Sequence, residues 1–381
     1  MSSDTGMHLT LSLAGHGFHP AAWRVSTLPN GPGLLPDYRA LAAQAEAATL
    51  DAIFFPPAPL PPDAWQAGAL ESLAPDPLPR LASLIARTTR IGLGGSVYLG
   101  HTEPFHTARA FAVMDGLSAG RTAMLADTIG ADQQPADFAH HPLAAAQAYP
   151  RAAEYLDIVA KLWESWEPDA VLADKPSGHY ADGMKVHRID HAGTFFRVRG
   201  PLTAVRAPQG RPVLVQWDTS AAGLTLAART AEVFLTRCQT QVEATTFATQ
   251  LRQRAQALGR PAAALRILAE VMPILAASAE EATARAAALD ALAPPAPDAP
   301  PRFVGTPAAF AAYLLGWQAA GACDGFNILP AVLPDDATVL AEAVVPLLRA
   351  QGAFRTAYAG TMLRAHFRLP QPPAALNGST P

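Results

Sequence analysis

The chain has 381 residues, with 28 Lys plus Arg against 32 Asp plus Glu and a net charge of −4, which excludes a basic nucleic-acid binder and an acidic tail protein. Half of the residues are hydrophobic and 16% are charged, enough apolar material for a large core, while 27 glycines and 36 prolines stay below the level of a low-complexity chain. Two cysteines, Cys238 and Cys323, are too few for a disulfide framework. With no signal-peptide pattern in MSSDTGMHLT and no run of about 18 apolar residues, the expectation is a soluble, cytoplasmic protein that binds neither nucleic acid nor membrane.

Residues His8 to Ala14 alternate around Leu9, Leu11 and Leu13 and end in Gly15-His16-Gly17, a strand running into a loop. Helical spacing follows from Asp37 to Thr49, then the apolar run Ala52 to Phe55, a proline-rich loop, a helix from Leu78 to Arg87 and a strand over Arg90 to Tyr98. The alternation continues with helix His106 to Leu117, strand Thr122 to Asp127 and a long helix from about Ala146 to Trp166. An irregular insertion rich in Gly, Asp and His, at about 167–210, interrupts it. Strand Val213 to Trp217, helix Ala221 to Ala231, strand Val233 to Thr236, helix Val242 to Leu258 and strand Ile267 to Leu275 come next. The last units are helix Ser278 to Leu292, an Ala/Pro linker, helix Thr306 to Ala320, strand Phe326 to Leu329 and helix Ala337 to Arg349. Thr240 with Glu243 and Ser278 with Glu281 have capping-box spacing, and Thr306 precedes Pro307 at a helix start.

Eight strand–helix units without a Gly-x-Gly-x-x-Gly turn after the first strand predict an α/β fold of the (β/α)8 TIM barrel type with insertion segments, over residues 8–368; residues 369–381 read as a flexible tail. A doubly wound open sheet is the alternative. In a barrel the chemistry lies where strands end, which selects the segments Gly15 to Arg24, Phe55 to Trp65, Ser96 to Glu103, Asp127 to Ala131, Gln216 to Gly223, Arg237 to Gln239 and the loop after Leu329. These loops carry His, Trp and hydroxyl residues and few carboxylates.

Several strings carry a family resemblance: Arg90-Ile91-Gly92-Leu93, Glu103-Pro104-Phe105-His106, Ala108-Arg109 and Leu117-Ser118-Ala119-Gly120-Arg121, with supporting runs such as Gly193 to Leu202 and Asp324 to Asn327. Together they resemble the bacterial-luciferase-like flavin-dependent monooxygenases, in the branch of nitrilotriacetate, dibenzothiophene-sulfone and long-chain-alkane monooxygenases. The resemblance implies reduced FMN supplied by a separate flavin reductase, oxygen, a small organic substrate and a homodimer. It also implies flavin contacts from Ser96 and Tyr149, and a flavin phosphate at Ser220, with Thr219 and Gly223 beside it, where a helix N-terminus offers amides to an anion. Three polar contacts of the family, an acid, a histidine and an arginine, are replaced by Pro57, Ala145 and Ala148; His140 or His141 replaces the lost histidine only if the helix start is shifted.

Each of these residues has a structural alternative. Ser220 serves equally as a helix N-cap, Ser96 as a strand-end hydroxyl and Tyr149 as an anchor of the helix start. His16, His19 and His101 read first as hydrogen-bonded loop histidines and second as proton-transfer groups. His187 and His191 share i, i+4 spacing but lack the glutamate of a zinc-protease motif, so no metal is expected. Trp23, Trp65 and Trp217 are candidates to line a cavity, and Trp163 and Trp166 to pack a helix. The functional expectation is an FMN-dependent monooxygenase. A flavin-degenerate, non-catalytic subunit and a deazaflavin-dependent oxidoreductase are the alternatives.

Overall fold

Leu9, Leu11 and Leu13 join the core packed under the helices, while Thr10 and Ser12 bond to Asn327 on the opposite face of the same strand, the period-2 pattern of a strand buried on both sides. The computed structural model describes residues 6–31, 36–57, 76–100, 102–128, 145–297 and 299–372. Trp65, His101, His140, His141 and the tail beyond 372 lie outside the described residues, as does the side chain of Ala145.

Eight parallel strands close on themselves: β1 (His8–Ser12), β2 (Ala52–Phe55), β3 (Gly92–Tyr98), β4 (Thr122–Asp127), β5 (Val213–Gln216), β6 (Val233–Thr236), β7 (Arg266–Leu275) and β8 (Gly325–Ile328). The pairing runs β6-β5-β4-β3-β2-β1-β8-β7, and β7 returns to β6, so the open-sheet alternative is excluded and the predicted TIM barrel is what forms. Helices α1 (Arg39–Ala47), α2 (Pro77–Ile85), α3 (Pro104–Leu117), α4 (Ala145–Trp163), α5 (Ala221–Thr230), α6 (Gln241–Ala257), α7 (Ala279–Leu292), α8 (Pro307–Ala319) and α9, which runs from Asp335 through a π turn to Ala350, alternate with the strands. The capping signals hold: Thr240, Ser278 and Thr306 accept the amides of Glu243, Glu281 and Ala309.

Two departures from the sequence reading follow from short elements. The Ala/Pro linker contains a strand, Arg302–Gly305, which pairs in parallel with Met272 to Leu275 of β7. β7 is therefore ten residues long, its first half in the barrel and its second half bound to this extra strand. The insertion at 167–210 holds two antiparallel ribbons, Val171–Asp174 with His179–Ala181 and His191–Ala192 with Arg197–Val198.

The barrel has a closed end. Leu363 and Phe367, from the segment after α9, are fully buried with Ala52, Phe54, Leu125 and Val215 in the barrel interior. The approach is so close that a Cβ on Gly92 would lie 2.3 Å from Leu363. Charged groups fasten this floor. Asp51, at 0% exposure, accepts from the Leu9 amide at 2.7 Å and from Arg355 at 2.9 Å, and pairs with His8 at 3.0 Å. Arg364, 1% exposed, bonds Glu232 at 2.6 Å. The strand C-termini form the other end, the mouth.

Burial works to raise the Asp51 pKa, but the facing Arg355 and His8 outweigh it and hold the carboxyl below the ordinary range. A depressed folded-state pKa contributes stability above the unfolded value of about 3.9 and loses it as pH falls toward the folded value. Asp51→Asn is expected to cost about 3–5 kcal/mol at pH 7, because the buried Arg355 contact loses its counter-charge. Urea denaturation should show that gap narrowing below about pH 4; an equal gap at pH 7 and pH 3 would assign the loss to packing instead.

Candidate active site at the barrel mouth

Alternation decides which side chains reach the mouth. Phe54, Leu125, Val215, Leu235 and Leu268 are interior residues of their strands, so Asp127, Trp217, Arg237 and Glu270, each two positions further on, continue the same face. On β3 a Cβ at Gly94 would meet Phe54 and Leu125 at 2.7 Å, which makes Ser96 and Tyr98 the interior residues of its upper half. The predicted contact Ser96 thus lies on the inner wall, 5% exposed, and half-buried Trp217 packs against the interior cluster as a cavity-lining residue would.

A polar rung crosses this interior. Asn327, fully buried, donates through Nδ2 to Glu270 at 2.8 Å and to Ser12 at 3.0 Å, and its Oδ1 accepts from Thr10 at 2.9 Å. Glu270 accepts from Arg237 Nε at 2.7 Å on its other oxygen. The carboxylate is buried and the guanidinium half-exposed, so the rung carries a compensated charge pair from the barrel centre to the mouth. Across from it, burial and the Asp127 carboxylate push the Tyr98 phenol up to about 12, which keeps its hydrogen in place at neutral pH.

The remaining predicted residues converge on one acid that the sequence reading passed over. Asp218, 9% exposed, accepts from the Ser220 amide at 2.9 Å on Oδ1, and from the hydroxyls of Tyr149 at 2.5 Å and Thr128 at 3.1 Å on Oδ2. Ser220 caps α5, its Oγ accepting from the Gly223 amide at 3.0 Å and lying 2.7 Å from the Tyr149 hydroxyl. Tyr149, Ser220 and Gly223 are therefore brought together, with Thr219 exposed beside them, while Ser96 stands apart on β3. Asp127 and Glu270 continue the inner face of their strands, and Asp218 sits at the α5 N-terminus.

The histidines resolve individually. His19 accepts the Ala21 amide on Nδ1 at 3.1 Å, which leaves Nε2 to donate to Asp290 at 3.0 Å, so it anchors a loop. Burial lowers the His16 pKa and keeps its imidazole neutral; Nδ1 lies 3.1 Å from Ser26 Oγ, whose own hydrogen goes to the Leu333 carbonyl. His187 and His191 pair with Glu167 and Glu154 rather than with each other. Trp163 and Trp166 donate to the carbonyls of Ala108 and Leu202 and are packing residues, whereas Trp23 is half-exposed on a short helix. Both cysteines are buried and free, and burial raises both thiols, Cys323 to about 12, which disfavours the thiolate form.

Comparison with known proteins bears on the chemistry of this mouth. Residues 18–343 match the model of the luciferase-like monooxygenases. N-acetyl-S-(2-succino)cysteine monooxygenase of Bacillus subtilis (strain 168) is 32% identical over 97% of this chain and 98% of its own. Nitrilotriacetate monooxygenase component A of Aminobacter aminovorans is 32% identical over 78% of this chain and 79% of its own. A riboflavin lyase solved with modified FMN and its substrate riboflavin superposes with a TM-score of 0.86 at 27% identity, covering 95% of each chain.

Gly223 makes room for Asp218, since a Cβ there would lie 2.3 Å from the carboxyl carbon. Gly223→Ala is expected to destabilise the protein by about 1–3 kcal/mol through overpacking. The exposed neighbour substitution Ala222→Ser should stay within about 0.5 kcal/mol. Equal denaturation midpoints for the two variants would remove the packing role of Gly223.

Proposed function

This chain belongs to the luciferase-like monooxygenase family, and on that premise we propose that it uses reduced flavin and oxygen to oxidise a small organic compound at the barrel mouth. The observation that carries the reading is the division of the barrel interior. One end is shut by Leu363 and Phe367, and the other presents Ser96, Tyr98, Asp127, Trp217 and Arg237 on a single inner face. A planar ring system is suited by an apolar surface such as Trp217 with a few fixed polar groups around it.

When bound, reduced flavin supplies the electrons that activate oxygen; the protein supplies geometry and electrostatics. Ser96, Tyr149, Thr219, Ser220 and Gly223 are the residues we assign to the flavin. Ser96 offers a hydroxyl on the inner wall and Tyr98 a phenol that holds its hydrogen on Oη, while Tyr149 and Ser220 are oriented by Asp218 at the α5 N-terminus. Arg237, held by Glu270, gives the mouth a half-exposed guanidinium in a fixed position. That suits substrates with a carboxylate, in keeping with the acids named for the two relatives.

A separate reductase is part of this reading, supported by the component designation of the nitrilotriacetate relative and by the lack of a dinucleotide-binding turn after β1. Homodimerisation and a cytoplasmic location complete it as proposals. Among the described residues no helix is long and apolar enough to cross a membrane. FMN is the flavin that the resemblance implies, and that resemblance would put its phosphate end at the α5 N-terminus.

The test is an anaerobic titration with reduced flavin, followed by oxygen uptake in the presence of an added flavin reductase. Saturable binding of about one flavin per chain and uptake that requires the protein, reductase and an oxidisable acid are expected. Turnover that proceeds without oxygen would replace the oxygenase by a hydride-transfer enzyme, and absence of flavin binding would leave a non-catalytic barrel.

A further inference from the structure

The α5 N-terminus is where a flavin phosphate is implied, and it is where the fold places its own carboxylate. Hydrogen positions follow from chemistry. A carboxylate only accepts, so the Tyr149 hydrogen points to Asp218 Oδ2, as does that of Thr128, and the Ser220 amide hydrogen points to Oδ1. With the Tyr149 hydrogen so used, the 2.7 Å contact between Tyr149 and Ser220 has the serine as donor, and Ser220 Oγ in turn receives the Gly223 amide. Of the donors at this helix start, the Ser220 amide and the Tyr149 and Thr128 hydroxyls are directed into an acid already present, and the Gly223 amide is taken by Ser220.

The space is taken as well as the donors. The position that a Cβ on Gly223 would fill lies 2.3–2.7 Å from the Asp218 carboxyl atoms, so the glycine hollow at the third position of α5 holds the carboxylate. Asp218 is 9% exposed, and a phosphate bonded to the same hydroxyls would lie within a few ångströms of it with little water between, where like charges repel strongly. A phosphate group does not fit this arrangement. A hydroxyl does: a carboxylate offers about four lone-pair positions, of which the described contacts use three, and a neutral O–H can donate to the fourth while accepting from the exposed Thr219.

We propose that Asp218 serves as a built-in anion at the α5 N-terminus, so that this chain selects a flavin whose ribityl chain ends in a neutral hydroxyl over one that ends in phosphate. This inference rests on the reading of the mouth as a flavin site and specifies which flavin it takes.

Equilibrium binding of reduced riboflavin and reduced FMN to the purified full chain, under anaerobic conditions and followed by flavin absorbance and fluorescence, separates the outcomes. The expected result is a dissociation constant for riboflavin no higher than that for FMN. In Asp218→Asn, which keeps the shape and removes the charge, FMN should bind about tenfold tighter while riboflavin changes less than about threefold. Inorganic phosphate should fail to compete with either flavin in the unsubstituted protein and should compete with FMN in Asp218→Asn. Tighter binding of FMN than riboflavin by the unsubstituted protein overturns the proposal and leaves the flavin reading intact, and this comparison stands even if the variant does not fold. An unchanged FMN-to-riboflavin ratio in a folded Asp218→Asn overturns it equally. Failure of both flavins to bind overturns the flavin reading itself, and the proposal with it.

Discussion

The buried Asp51 carboxylate ties the beginning of the barrel to its end. It sits just before β2, takes the amide of Leu9 from β1, and receives Arg355 from the segment that follows the last helix. A barrel of eight short strands has two openings, and water entering either would hydrate the interior polar rung. By pinning residues 351–369 beneath the strands, this one charge cluster leaves a single open end and so decides where ligands meet the protein. Burying an acid there would be unfavourable without the arginine and histidine that face it.

The sequence is unevenly informative, and the reasons are physical. Strands such as Ala52–Phe55 and Val233–Thr236 are legible because a strand covered on both faces must be apolar throughout, and helix starts are legible because a cap is a local bargain between neighbours, as at Thr240 and Ser278. The strand Arg302–Gly305 is hidden because it is four residues long and flanked by prolines; its identity depends on partners in β7 thirty residues earlier. Register also had to be supplied by the fold: which of Ser96, Tyr98, Asp127 and Arg237 looks inward is settled by Gly94 and Leu125 packing against Phe54.

The cluster around Asp218 shows the same division. Ser220 as an N-cap was readable from its type and position, and an acid two residues before it is the pattern of a local turn in which the side chain takes the amide two residues on. That signal was available. The approach of Tyr149, 69 residues away, was not, because it needs α4 and α5 to lie side by side outside β4 and β5. In the cluster that results, the Thr128, Tyr149 and Ser220 hydroxyls and the Ser220 and Gly223 amides all bond within it, and its chemistry follows from that network more than from any one residue.

The long strand β7 has a quieter effect. Its second half carries Arg302–Gly305, and Arg302 grips Asp290 of α7, which also receives His19 from the loop after β1. The loop after β1, α7 and the extra strand are thereby riveted to one another. Anyone exchanging the segment between β7 and β8 for one of different length, to reshape what the enzyme accepts, would have to transplant the aspartate and the arginine together, or leave a histidine only 2% exposed without its partner.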